Sequence, residues 1–110
     1  MIGSESGGST SIHEAPALGR FHAALETLFR VDVHGVGSAE FRLIEVATAP
    51  EHGGWESFSL LFAGPDPPVL WDGTYTVHHD EIGSFPLFLV AVRTDGEAQH
   101  YEAVFNRRSR

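Results

Sequence analysis

The densest run of residues able to do chemistry is His78-His79-Asp80-Glu81. Two imidazoles beside two carboxylates are zinc-ligand types, and His100 offers a further donor from another strand. The spacing argues against a metal. Adjacent strand residues point to opposite faces, so His78 and His79 cannot both ligate one ion from a regular strand. The reading that fits is a polar hairpin end in which His79 satisfies backbone groups of the following turn. The other histidines, His13, His22, His34 and His52, are scattered and complete no H-E-x-x-H pattern. No metal and no cofactor is expected.

Nucleophilic chemistry fares no better. Ser57 and Ser59 lack the G-x-S-x-G context that raises a serine onto a strained elbow. Glu56 and Glu102 could serve as an acid/base pair, but both read as outward strand residues. The chain has no Cys, which excludes disulfides, zinc–thiolate sites and a thiol nucleophile. No catalytic residue is assigned, and an enzyme ranks third among the functional readings.

Charge narrows the partners. Fifteen acidic residues face seven basic ones, a formal net charge of −8 over 110 residues. Every basic residue is Arg, a bias that fits a GC-rich bacterial genome. Arg107, Arg108 and Arg110 sit at the very end, so the body is more acidic still. Such a surface repels phosphate backbones and argues against nucleic acid. Residues 1–15 lack the charged and apolar regions of a secretory leader. No apolar run approaches the ~20 residues of a membrane-spanning helix. A soluble, cytoplasmic protein is expected.

These groups need elements to hold them. Residues 1–15 are rich in Gly and Ser and read as a disordered segment. A helix is expected from Pro16 to about Glu26, with Leu18, Phe21, Leu25 and Leu28 forming one apolar stripe that docks on a sheet or closes a barrel end. From Thr27 the period changes to two. Phe29, Val31 and Val33 alternate with Arg30, Asp32 and His34, and Gly35 and Gly37 make a turn. In Glu40–Ala47 the phase slips, which predicts a β-bulge near Leu43–Glu45 or burial of both faces. Glu56–Ala63 alternates again, with Phe58, Leu60 and Phe62 inward. The Gly64–Pro68 stretch breaks the pattern. A three-strand unit runs from Gly73 to Asn106, with turns at His79–Gly83 and at Thr94–Glu97 carrying the Asp-Gly signal. Its middle strand is apolar on both faces, which predicts either a central strand with the helix over its second face or a second face that a partner covers.

The fold class is therefore mainly β: a small antiparallel barrel or two-layer sandwich of about six strands with one short N-terminal helix. Residues 16–107 form the domain, and 108–110 a short basic tail.

Several segments carry a resemblance. Phe58-Ser59-Leu60-Leu61-Phe62, Gly64-Pro65, Gly73-Thr74-Tyr75, His79, Gly83, Leu87-Phe88-Leu89-Val90 and Tyr101 to Asn106 stand in order along residues 16–107. Together they resemble a family of small bacterial domains of unknown function. One departure is Ala91, where the family pattern has Pro. The resemblance implies a compact β domain and an accessory or structural role beside phage-tail-like assemblies. It brings no catalytic residue.

The functional expectation is a non-enzymatic protein-binding or assembly module, with a protein partner or a second copy of itself. Its contact residues are Trp55, Leu61, Trp71, Phe88, Val90 and Val104, apolar side chains that strand alternation or loop position leaves outside the core. The alternative is a small-ligand-binding barrel in which Tyr75, His79 and Tyr101 line an internal cavity.

Overall fold

The period-two pattern that begins at Phe29 becomes a closed barrel. The computed structural model describes residues 16–67, 69–95 and 98–108, without the side chains of 93–95. Helix α1 (Leu18–Ala23) precedes β1 (Leu28–Val33), β2 (Gly37–Thr48), β3 (Trp55–Pro65), β4 (Gly73–His79), β5 (Gly83–Asp95) and β6 (Ala98–Arg108). All pairings are antiparallel, in the order β1-β2-β3-β6-β5-β4, and β4 returns to β1. Two three-stranded meanders are thus joined along β3 and β6, and again along β1 and β4. Closure removes the sheet edges that a sandwich would leave open. The segment 1–15 and the Gly96-Glu97 turn lie outside the described residues.

The inward positions fill the barrel. Phe29, Val31, Phe41, Leu43, Phe58, Leu60, Phe62, Val77, Phe85, Leu87, Leu89, Tyr101 and Ala103 are all buried. The phase slip in β2 is a real irregularity, with register shifting between Leu43 and Glu45 against β3. It keeps Phe41 and Leu43 inward while turning Glu45 out. A second shift lies between Ala91 and Arg93 in β5.

The helix is shorter than its apolar spacing suggests. Glu26 takes a left-handed φ of 68° and its N–H bonds to the carbonyl of Leu43, while the Leu43 N–H returns to Thr27. The chain is thereby committed to β pairing directly after Ala24. Phe21 and Ala24 become the buried residues of this segment, and Leu25 and Leu28 are exposed. Phe21 closes one end of the barrel, edge-on to Phe85 at 5.7 Å and tilted against Phe58 and Phe105. Arg107 seals this end. Its guanidinium lies 5.0 Å from the Phe58 ring centre and donates to the Pro16 carbonyl at 3.0 Å and to Glu56 at 3.4 Å. Arg108 ends β6 and stacks 5.5 Å over Trp55, so strand rather than tail character extends through it.

The helix caps the barrel end and leaves the outer face of β5 uncovered. Phe88 is 55% exposed, against the expectation that α1 would bury it. A six-residue helix is about 9 Å long and cannot both cap the end and cover a strand face.

Gly64 marks the tightest approach in the wall. A Cβ placed there would lie 2.8 Å from the Phe41 ring, nearer than side-chain carbons pack. Gly64→Ala should lower unfolding free energy by about 1–3 kcal/mol through overpacking. In a Phe41→Leu background the same substitution should cost less, measured by urea denaturation of the four proteins. Equal costs in both backgrounds would contradict the packing.

Candidate functional site

The sequence's most titratable run turns out to sit at the barrel's closing seam. Among the described residues, β1 and β4 pair at Arg30–His78 and Val31–Val77. Val31 and Val77 point inward, so His78 points out and His79, one residue on, points in toward the helix end. The two imidazoles occupy opposite sides of the wall, as strand alternation requires.

Outside, His78 Nε2 lies 2.9 Å from Asp32 Oδ2 and Nδ1 lies 2.7 Å from Ser84 Oγ. A carboxylate accepts only, so Nε2 donates to Asp32, while Nδ1 and the Ser84 hydroxyl share the second hydrogen bond. The chain links β1, β4 and β5. It has the residue types of a nucleophilic triad, yet Ser84 lies on an exposed strand face rather than in a cleft. Its evident work is to hold three strands together.

Inside, the His79 ring packs 4.5 Å from Phe29. Nδ1 accepts the backbone N–H groups of Glu81 at 3.1 Å and Ile82 at 3.3 Å. Nε2 therefore donates to Thr27 Oγ1 at 2.8 Å, and the Thr27 hydroxyl donates to the Ala24 carbonyl at 2.6 Å. This relay ties the β4–β5 turn to the end of α1. It is the turn-satisfying role that sequence spacing suggests for His79. Thr27, Asp32 and Ser84 were not legible as its and His78's partners. Thr27 lies 52 residues from His79 and Asp32 lies 46 from His78, so strand order alone makes them neighbours.

Of the expected cavity residues, Tyr75 and Tyr101 sit together and His79 stands apart. His79 is at the helix end. Tyr75 and Tyr101 are toward the opposite end, beneath the proline loop. The Tyr101 hydroxyl accepts the Leu70 N–H at 2.8 Å, and the Tyr75 hydroxyl donates to the Trp71 carbonyl. Burial raises the Tyr101 pKa above the usual tyrosine value, opposed by the Leu70 bond and helped by Tyr75 and Asp66. Burial also raises that of Tyr75, with Asp72 adding to it. Between the two ends, the gap lined by Val31, Phe41, Phe62, Val77, Leu87 and Leu89 is too small for a water molecule. Tyr75 and Tyr101 thus stand toward one end of the barrel and His79 toward the other, with the packed centre between them. No group of three or more His, Asp or Glu among the described residues is placed to hold a metal ion.

The outer wall divides into two sides. Around the seam it is polar, with Arg30, Asp32, Ser38, Glu40, Arg42, Thr76, His78 and Ser84 outward. Across β2, β3, β6 and β5 it carries apolar side chains interleaved with Glu45, Ser57, Ser59 and Glu102. Register sets Glu45 beside Leu61, Leu61 beside Glu102, and Glu102 beside Val90. The next row runs Ala47, Ser59, Val104. Phe88 and Val92 flank Val90 on the same strand face, and Val104 is 71% exposed. Small side chains at Ala47, Ala49, Ser57 and Ser59 leave a groove of about 390 Å³ beside Val104. A second hollow of about 250 Å³ adjoins it, lined by Glu45, Ala47, Ser59, Leu61, Val92 and Glu102.

Five of the six expected contact residues therefore share this side: Leu61, Phe88, Val90 and Val104, with Trp55 at its edge beneath Arg108. Trp71 does not. It is 87% exposed but follows the proline loop at the end of the barrel away from Trp55, so the two tryptophans form no common patch. The carboxylates of Glu45 and Glu102, acids within this side, make no hydrogen bond or ion pair with another described side chain.

A family model described as a domain of unknown function (DUF6916) matches residues 16–105. No curated protein matches, and no solved structure matches. No helix of the described residues is long and apolar enough to cross a membrane.

Two outcomes follow from this geometry. His79→Phe keeps the ring on Phe29 but leaves the Glu81 and Ile82 N–H groups without their acceptor, so it should cost about 1–3 kcal/mol. Its effect should be non-additive with Thr27→Val, by roughly 0.5 kcal/mol or more in a double-mutant cycle; strict additivity would deny the relay. The raised tyrosine pKa means that the folded state holds its phenolic proton longer than the unfolded chain. That stability is present below the unfolded tyrosine pKa of about 10 and is lost as pH climbs through the folded value. Stability measured from pH 8 upward should fall in that alkaline range, and Tyr101→Phe should flatten the fall while lowering stability at neutral pH.

Proposed function

We propose that this chain, which belongs to that family of unknown function, is a non-enzymatic protein-binding or assembly module. The observation that carries the reading is the apolar outer side of β2, β3, β6 and β5. A strand face exposing Phe88, Val92 and Val104 beside Leu61 and Val90 is costly to leave in water. Monomeric proteins rarely keep such contiguous surface without a use for it. The residues stand on long paired strands, so the surface is pre-organised and little ordering entropy opposes docking. The filled interior gives no support to the ligand reading, and the exposed Ser84 gives little to an enzyme. Service as an accessory subunit of a phage-tail-like or other multiprotein assembly is the setting that the family resemblance adds to this proposal.

The reading is tested by affinity capture from the native host with the full chain and with a Phe88→Asp, Val104→Asp variant. Both sites face solvent, so the variant should melt within a few degrees of the parent. A partner protein held by the parent and lost by the folded variant is the expected result. A partner held equally by both would move the binding site elsewhere.

A further inference from the structure

The apolar side is not uniformly apolar, and its exceptions carry information about what covers it. Across four strands one row reads Glu45, Leu61, Glu102, Val90. Acid and apolar residues alternate at the strand spacing, about 4.8 Å, so the backbones bearing the two acids lie about 10 Å apart along the wall. Glu102 is half-buried between Leu61 and Val90. An apolar partner surface laid over this row would desolvate both carboxylates without compensation, a cost that purely hydrophobic docking does not recover. A second copy of this chain fares worse. Two-fold pairing sets the face against itself, and its rows Glu45-Leu61-Glu102-Val90 and Ala47-Ser59-Val104 offer acids and no cation, in a chain already at −8.

A helix crossing the strands supplies what the row lacks. One helical turn rises about 5.4 Å, close to the strand spacing. Side chains at i, i+3 or i+4, and i+7 therefore fall over successive strands. We infer that the occupant is an amphipathic helix of a partner protein whose docking stripe alternates basic and apolar residues turn by turn. Its two cations meet Glu45 and Glu102 and an apolar side chain between them meets Leu61, three residues that line one hollow of the wall, and one flank drops into the groove beside Val104 over Ala47 and Ser59. The inference rests on the binding-face reading and adds the chemistry of the partner. The acidic excess of the whole chain steers such a helix toward it.

The test is selection from a displayed library of amphipathic helices of about five turns, randomised along the docking stripe. The baits are the full chain and its Glu102→Arg, Glu45→Arg and Leu61→Asp, Val104→Asp variants, each checked by thermal melting. The parent should enrich helices with Lys or Arg one turn to either side of an apolar anchor. Charge reversal should weaken the selected peptides at least about tenfold, and the Glu102→Arg bait should itself select Asp or Glu at that position. Glu45→Arg gives a second, independent reversal should Glu102→Arg fail to fold. Enrichment of apolar helices without charge preference, lost on Leu61→Asp, Val104→Asp, would overturn the inference and leave the binding face standing. Selected helices indifferent to Leu61→Asp, Val104→Asp would overturn both. Failure to enrich any helix, or a concentration-dependent dimer that buries Glu102, would overturn the inference in favour of another occupant.

Discussion

The barrel depends on closing a seam that its backbone barely pairs. β1 and β4 meet at Arg30–His78 and Val31–Val77, whereas β3 and β6 run in register from Trp55–Arg108 to Pro65–Ala98. Side chains make up the difference. His78 ties the seam from outside through Asp32 and Ser84, and His79 ties its helix end, where the chain enters β1, through Thr27. A closed barrel without a sound seam is an open sheet with two aggregation-prone edges. The two histidines thus do structural work that their chemistry alone would not suggest.

Closure at one side frees the other. The β2-β3-β6-β5 half holds its shape through long ladders and the phenylalanine cluster around Phe21, Phe58, Phe85 and Phe105. That rigidity lets its outer surface be apolar without collapsing onto the core. Arg107 and Arg108 finish the same half by covering Phe58 and Trp55. The molecule is a platform whose polar side seals it and whose apolar side is displayed.

The strands were readable because period two survives in nearly every one of them, and the bulge at Leu43–Glu45 announced itself as a slip in that period. The outward position of Leu61, Phe88, Val90 and Val104 followed from the same alternation. The helix end was not readable, since Leu25 and Leu28 extend its apolar spacing past the point where Glu26 turns the chain into β1. Continuous apolar character in β5 misled for a related reason: sequence shows that both faces are apolar, but not whether anything lies over the second. Pairings such as Thr27 with His79 or Glu45 beside Leu61 depend on strand order and register, which local pattern does not encode. The same holds for Tyr75 and His79, inward on one strand yet near opposite ends of it.

The account rests on a rigid platform closed by a side-chain-pinned seam, and native-state amide hydrogen exchange tests that directly. Amides of β3 and β6, from Phe58 to Phe62 and from Tyr101 to Phe105, should exchange only through global unfolding. Those in the β1–β4 seam, around Arg30, Val31, Val77 and His78, should open at measurably lower free energy. Protection in the seam equal to that of β3 and β6, or earlier opening of β3 and β6, would contradict it.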